Sequence, residues 1–251
     1  MPKFAANISM LFTELPFLER ISAAKSAGFE AVEILFPYDI SARDILAALQ
    51  AANMPLALIN TPPPNWTGGD RGFAAIPDGQ DRFRHDFRRA LRYADVTGAA
   101  MIHVMAGIAS GDNARDTMVE NLRWATEFAP KQKITIEPIN TIDMPGYFLN
   151  DFDLAAEILD AVSAPNLALQ FDAYHAHMIT GDIMGSWSKH GHRAGHIQIA
   201  GAPGRREPQT GDVDYTEFFN QLNAQGYRGF VSGEYHPAGE TAKGLRWLTL
   251  G

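Results

Sequence analysis

The stretch Ile134-Thr135-Ile136-Glu137-Pro138-Ile139-Asn140 is typical of a short buried strand that ends in a carboxylate. Its β-branched residues favour a strand, and Pro138 ends the pairing because it has no backbone N–H to donate. Glu137 would therefore stand at the carboxyl end of the strand, with its side chain at the mouth of the sheet. This design decides the fold because the chain repeats it.

Three later stretches have the same design, with an oxygen-bearing side chain at or near the end of an apolar run. They span residues 167–172, 195–200 and 229–235 and carry Asp172, Gln198 and Glu234. The spacing between successive members matches one strand-loop-helix-loop unit. The repeat therefore suggests a ring of side chains around one point.

Strand-like and helix-like segments alternate eight times along the chain with no break in composition. The predicted strands span residues 4–10, 31–36, 55–60, 99–105, 134–140, 166–172, 195–200 and 229–234. The predicted helices span residues 15–27, 41–52, 81–97, 112–129, 151–162, 174–181, 183–190, 215–225 and 241–248. The alternation predicts an α/β fold, a single (β/α)₈ TIM barrel domain over residues 1–251. An open doubly wound sheet is the alternative, but it requires a glycine-rich phosphate turn after the first strand, which the sequence lacks.

The composition limits the classes of partner. The 251 residues carry 29 Asp and Glu against 21 Lys and Arg, a formal net charge of -8, so a nucleic-acid partner is not expected. Cysteine is absent, which excludes disulfides and thiolate metal sites. No apolar run approaches the roughly 20 residues that span a bilayer. We expect a cytoplasmic protein with a small-molecule partner and no membrane contact, and homo-oligomerisation stays open.

Four oxygen-bearing side chains on consecutive strands predict a metal site. Glu137, Asp172, Gln198 and Glu234 converge if the sheet closes, and convergent carboxylates repel one another. A divalent cation relieves that repulsion. Ligation by oxygen atoms alone favours Mg²⁺ or Mn²⁺ over structural zinc.

Five further side chains are candidates for substrate binding. They are His103, Asp143, His175, Arg205 and, in the long loop of residues 61–80, Trp66. His175 follows Asp172 closely and would lie at the rim, and a guanidinium such as that of Arg205 would suit a substrate with a carboxylate. Plainer interpretations remain open: His103 as a packing residue, Asp143 as a loop cap, Arg205 as a solvated side chain and Trp66 as part of the rim.

Several motifs along the chain resemble the hydroxypyruvate isomerase family, which belongs to the xylose-isomerase-like barrel superfamily. These motifs occupy residues 4–12, 36–38, 71–72, 136–140, 196–200, 205–208, 233–235 and 244–247. The resemblance implies that Glu137 and Glu234 are the proton donor and acceptor pair. It also implies that both glutamates bind a divalent metal together with Asp172 and Gln198.

Two subgroups of that family are close to this sequence. Residues 137–140 (Glu-Pro-Ile-Asn) resemble enzymes that convert hydroxypyruvate to tartronate semialdehyde, whereas residues 103–107 and 198–201 resemble 2-oxo-tetronate isomerases. The resemblance thus implies a metal-dependent aldose-ketose type isomerase in carbohydrate metabolism, acting by proton transfer through an enediolate. Hydroxypyruvate is the first expected substrate and 2-oxo-tetronate the alternative.

Three other functions are alternatives to an isomerase. A sugar epimerase or a polyol dehydratase would share the metal ring and differ only at the rim. An abasic-site endonuclease-like barrel needs several metals, many His ligands and a basic groove, which the net charge of -8 disfavours. A non-catalytic sugar-acid sensor would not need both Glu137 and Glu234.

Overall fold

Eight parallel strands form a closed barrel in the computed structural model, which describes residues 2–63 and 71–250. The strands are β1 (Lys3–Asn7), β2 (Ala31–Ile34), β3 (Leu56–Asn60), β4 (Met101–His103), β5 (Lys133–Ile136), β6 (Leu167–Asp172), β7 (Ala194–Ile199) and β8 (Phe230–Gly233). They pair in sequence order, and β8 closes the barrel against β1 with Phe4 opposite Val231. The predicted TIM barrel is confirmed, and the open doubly wound sheet is wrong.

Helices connect the strands around the outside of the barrel. They are α1 (Glu19–Ser26), α2 (Ala42–Ala52), α3 (Gln80–Thr97), α4 (Asp112–Phe128), α5 (Phe152–Val162), α6 (Ala173–Thr180), α7 (Ile183–His190) and α8 (Tyr215–Ala224). The described part of the chain contains no helix with the length and hydrophobicity that crossing a membrane requires.

Two predicted helices differ from the observed elements. The first begins at Glu19 rather than at residue 15: Pro16 disfavours helical geometry at Leu15, and a turn at Phe17 and Leu18 precedes the helix. The last, predicted over residues 241–248, is the 3-10 segment Thr241–Thr249, in which Leu245 leaves helical geometry. The predicted strand at residues 99–105 shortens to β4, and Trp66 lies outside the described residues.

The two ends of the chain meet at a buried tryptophan. Trp247 is fully buried, and its ring packs edge-on against Phe4, with 5.1 Å between the ring centroids. Its Nε1 donates a hydrogen bond of 3.1 Å to the Tyr235 hydroxyl. The 3-10 segment therefore stabilises the seam between β1 and β8.

The barrel interior changes from apolar to polar along the strands. Ala5, Ala31 and Ala57 form a small cluster of their own, against which Phe230 packs. Toward the carboxyl ends the strands bury polar side chains, including Gln170 and His196, which are at most 1% exposed. Because these polar groups are shielded from water, each must find a partner inside the barrel.

Candidate active site

A cavity of about 270 Å³ opens at the carboxyl ends of the strands. Its ionisable lining residues are Arg71, His103, Glu137, Asp143, His175, Arg205, Glu234 and His236. Apolar side chains such as Leu35, Met105 and Ile139 complete the wall. Every described residue that the sequence nominated for substrate binding therefore lies at this cavity.

Glu137 follows β5 directly, and one of its oxygens has no hydrogen-bond partner in the described part of the chain. Its Oε2 accepts a hydrogen bond of 3.0 Å from Gln170 Nε2, whereas its buried Oε1 has no hydrogen-bond partner among the described residues. Burial raises the pKa of Glu137 well above its usual value, and the nearby charges of Glu234 and Asp172 raise it further. The carboxylate is thus poised to accept a proton or to bind a cation.

Glu234, which follows β8, is held by two neighbouring side chains. Its Oε2 accepts a hydrogen bond of 2.7 Å from Arg205 Nη2, and its Oε1 accepts one of 3.1 Å from Asn7 Nδ2. Burial raises the pKa of Glu234 to about 8, although the Arg205 charge opposes that rise. Both glutamates therefore lie at the cavity with a raised pKa.

The guanidinium of Arg205 joins the two sides of the site. Besides Glu234, its Nη2 donates to Asp172 Oδ2 at 3.3 Å, and its Cζ lies 5.1 Å from the centre of the Tyr174 ring. Burial lowers the pKa of Arg205, but the carboxylates of Glu234, Asp172 and Glu137 outweigh that effect and raise it. The arginine is therefore a permanent positive charge among buried acids.

Asp172 ends β6 and caps α6, which starts at the next residue. Its Oδ1 accepts hydrogen bonds from the backbone N–H groups of Tyr174, at 2.7 Å, and His175, at 3.3 Å. Burial raises the pKa of Asp172, while Arg205 and these two hydrogen bonds lower it. The helix cap holds Oδ2 toward Arg205 and positions His175 on the first turn.

The hydrogen bonds of Asn140 determine which nitrogen of His175 carries a proton. Asn140 Oδ1 accepts from the backbone N–H groups of Ile142, at 3.1 Å, and Asp143, at 2.9 Å. Its Nδ2 therefore faces His175 Nδ1, 2.7 Å away, and donates to it. Burial, assisted by Arg205, lowers the pKa of His175 well below its usual value. The neutral ring then carries its proton on Nε2.

A metal ion fits one corner of the site. Ligand atoms of Glu137, Asp172 and His175 all lie within 4.8 Å of one another, and Glu137 Oε1 is a buried oxygen without a partner among the described residues. Because His175 Nε2 carries a proton in the arrangement set by Asn140, the carboxylate oxygens are the better ligands. His175 is then a hydrogen-bond donor, 3.9 Å from Glu137 Oε1 and 3.7 Å from Asp172 Oδ2.

The other two predicted metal ligands are engaged by neighbouring side chains. Gln198 Oε1 accepts a hydrogen bond of 2.7 Å from Gln170 Nε2, and both oxygens of Glu234 are hydrogen-bonded. The structure thus brings Glu137 and Asp172 together with His175, a residue predicted for substrate binding. The metal-binding role of Gln198 and Glu234 stays a prediction.

His103 and Asp143 have partners within the protein. His103 Nδ1 lies 3.3 Å from Asn60 Oδ1, and burial lowers the pKa of His103 to about 3, so the ring is neutral. Asp143 accepts a hydrogen bond of 3.2 Å from Asn140 Nδ2. Both residues line the cavity, and their role toward a substrate stays a prediction.

Sequence reasoning missed Glu33, the most enclosed acid of the site. Glu33 is fully buried on β2 and accepts three hydrogen bonds: from Asn7 Nδ2 at 2.8 Å, His196 Nε2 at 2.6 Å and Gln198 Nε2 at 2.6 Å. The bond to Gln198 turns the amide oxygen of that residue toward Gln170. The available signal was a single acid inside the apolar run of residues 31–36.

Comparisons with known proteins show that this chain is similar to proteins named as isomerases and to barrels of one family. The sequence profile of the family described as xylose isomerase-like TIM barrel matches residues 21–250. The chain is 45% identical to a 2-oxo-tetronate isomerase from Cupriavidus necator, covering 99% of this chain and 98% of that protein. It is 37% identical to the hydroxypyruvate isomerase of Escherichia coli, again covering 99% of this chain and 98% of that one.

A solved structure from Brucella melitensis, titled AP endonuclease, family 2, has the same fold. It superimposes with a TM-score of 0.96 at 42% sequence identity, covering 99% of this chain and 98% of that chain.

We expect Glu33→Ala to destabilise the protein by about 3 kcal/mol or more, because three buried donors would lose their acceptor. Urea denaturation of the variant and the unmodified protein measures the difference in the free energy of unfolding. Glu30→Ala, on an exposed acid three residues earlier, is the matched control and should leave stability nearly unchanged. Equal stability of the Glu33 variant would contradict the hydrogen-bond network.

The tautomer of His175 is measurable by ¹⁵N NMR, which should place the proton on Nε2. In the double variant Asn140→Asp/Asp143→Asn, a carboxylate would face Nδ1, so the proton should move to Nδ1. The exchange of the two residue types conserves net charge, and Asp143→Asn alone is the control that keeps the original tautomer. Identical imidazole shifts in all three proteins would refute the role of Asn140.

Proposed function

The chain belongs to the xylose isomerase-like TIM barrel family, as its resemblance to hydroxypyruvate isomerases predicts, and we propose that it moves a proton within a small hydroxy-oxo acid. Relatives named as isomerases cover nearly its whole length and make it an enzyme of that class. The isomerisation transfers hydrogen from the carbon that bears the hydroxyl group to the adjacent carbonyl carbon. The carbonyl and the hydroxyl thereby exchange places.

The pair of glutamates at the cavity carries this proposal. Glu137 and Glu234 both line the cavity, and both have a raised pKa. A carboxylate with a raised pKa is a stronger base and exchanges protons more readily near neutral pH. One glutamate removes the proton from the hydroxyl-bearing carbon to give an enediolate, and a glutamate returns a proton to the neighbouring carbon.

Neighbouring side chains assist this proton transfer, which requires no redox cofactor. His175 donates its Nε2 proton in a hydrogen bond to a substrate oxygen, where negative charge develops. Arg205 keeps Glu234 oriented through their 2.7 Å contact, and its positive charge favours the anionic enediolate. Asp143 and His103 border the same space and restrict the orientation of the substrate.

The ligand atoms are oxygens, which Mg²⁺ and Mn²⁺ prefer. We therefore expect one of these two ions. Glu137 and Asp172 would hold the ion, joined by Gln198 and Glu234 if their hydrogen bonds rearrange. When bound, such an ion supplies Lewis-acid stabilisation of negative charge on the substrate oxygens.

Between the two candidate substrates we place 2-oxo-tetronate first and hydroxypyruvate second. Both contain a carboxylate, a carbonyl and a hydroxyl-bearing carbon in series, and they differ by one terminal hydroxymethyl group. The 45% identity to one 2-oxo-tetronate isomerase exceeds the 37% to 40% identity to hydroxypyruvate isomerases and favours the four-carbon acid, whereas two other 2-oxo-tetronate isomerases are 38% and 36% identical. This order reverses the expectation drawn from sequence motifs alone.

Kinetic assays with both acids test the proposal. After treatment with a chelator we expect no turnover, and addition of Mg²⁺ or Mn²⁺ should restore it, with the higher kcat/KM for 2-oxo-tetronate. The ion should also raise the melting temperature, because it binds the folded site and not the unfolded chain. Failure to convert either acid in the presence of both metals would refute the proposed function.

Substituting either glutamate by Gln should lower kcat by about 10²- to 10⁴-fold, because an acid-base group is lost. Glu120→Gln, on an exposed residue of α4, is the control and should retain full activity. Exchange of the carbon-bound hydrogen with D₂O then separates the roles. The variant that lacks the abstracting base should lose exchange as well as turnover, while the other should keep exchange. Near-normal turnover in either variant would remove that residue from the mechanism.

A further inference from the structure

A substrate that is a carboxylic acid brings a fixed negative charge into a cavity that already contains several acids. The described lining includes two arginines, Arg71 and Arg205. Arg205 is already bonded to Glu234 and Asp172 and stacked on the Tyr174 ring. Its charge is therefore largely compensated by the carboxylates of the site.

Arg71, unlike Arg205, is not paired with a carboxylate of the described residues. Its side chain is exposed at the cavity, and none of the residues that the structure describes accepts a hydrogen bond from its guanidinium. Its charge is felt at the Tyr147 hydroxyl, where it acts to lower the pKa against the larger effect of burial. That hydroxyl accepts a hydrogen bond of 2.8 Å from the Ala106 N–H, just beyond β4. Among the residues that the structure describes, no carboxylate pairs with this cation, which stands beside the extension of β4.

The backbone next to Arg71 is bonded to the residues that follow β4. Gly72 forms an antiparallel bridge with Ala106, and the Ala75 N–H donates a hydrogen bond of 2.8 Å to the Ala106 carbonyl oxygen. Gly72 has a φ of +103°, and a Cβ at this position would lie 2.1 Å from Met105 O. Only glycine allows so close an approach. The backbone of Arg71 is thereby held at the mouth, and its exposed side chain has no hydrogen-bond acceptor among the described residues.

We propose that Arg71 binds the carboxylate of the substrate and gives the enzyme its preference for acids over neutral sugars. The inference rests on the proposed function and deepens it. A guanidinium binds a carboxylate through two parallel hydrogen bonds, and Arg71 has these donors available. Arg205 stays with Glu234 and Asp172, so the two arginines have separate tasks.

Neutral analogues separate carboxylate recognition from general damage to the site. Erythrulose and dihydroxyacetone carry a hydroxymethyl group where 2-oxo-tetronate and hydroxypyruvate carry the carboxylate. For Arg71→Met we expect kcat/KM for the acid to fall by about tenfold or more, since a charge-assisted pair is lost. The Ki of the neutral analogue, measured as a competitor, should not change.

Three companion variants complete the experiment. Arg71→Lys keeps the positive charge but cannot form two parallel hydrogen bonds to a carboxylate. Its kcat/KM for the acid should therefore lie between those of Arg71→Met and the unmodified enzyme. Arg205→Met should weaken both the acid and the neutral compound, because it disturbs Glu234. Arg92→Met, on an exposed arginine of α3 outside the cavity lining, is the matched control and should change neither value.

The outcomes separate this inference from the proposed function. No turnover of either acid by the unmodified enzyme would refute the proposed function. If the unmodified enzyme is active, an unchanged ratio of acid to neutral binding in Arg71→Met overturns the assignment of Arg71 alone. The assignment is also overturned if Arg205→Met, and not Arg71→Met, selectively weakens the acid.

Discussion

The burial of negative charge is the constraint on which this structure depends. Four carboxylates at the carboxyl end of the barrel are at most 5% exposed: Glu33, Glu137, Asp172 and Glu234. Unpaired buried charges are costly, so the surrounding strands supply amide and imidazole donors to them, and Arg205 in the loop after β7 supplies a guanidinium. One oxygen, Glu137 Oε1, has no donor among the described residues, and that exception identifies the reactive end of the network. The polar side chains inside the barrel are thus explained by the need to pair the carboxylates at its carboxyl end.

The barrel was predictable because the apolar strand runs and their regular spacing are properties of local sequence. The strand-end acids Glu137, Asp172 and Glu234 were recognisable for the same reason. Glu33 was not, because a parallel strand is buried on both faces and its pattern does not say which side chains point inward. The tautomer of His175 depends on Asn140, and the pairing of Arg205 depends on Asp172 and Glu234, at the ends of β6 and β8, lying on either side of β7. Such facts belong to tertiary structure and have no local sequence signal.

The site also separates two kinds of positive charge. Arg205 is enclosed by acids and acts on their orientation, whereas Arg71 is exposed at the entrance. Residues of the first kind influence any substrate that reaches the glutamates, and residues of the second kind influence which substrate arrives. Relatives with the same barrel and the same acids can therefore differ in substrate through changes at the rim alone.

The seam between β1 and β8 has a consequence for how the protein matures. Asn7 and Glu234 are 227 residues apart in the chain, yet they share a hydrogen bond within the site. Contacts of such long sequence separation form late and slow the folding of a domain. During synthesis the amino-terminal strands leave the ribosome long before their partner strand exists. Glu33 on β2 must stay hydrated until β7 brings His196 and Gln198, and Asn7 can bond to Glu234 only when β8 arrives. Catalytic activity would therefore appear only after β8 has closed the barrel.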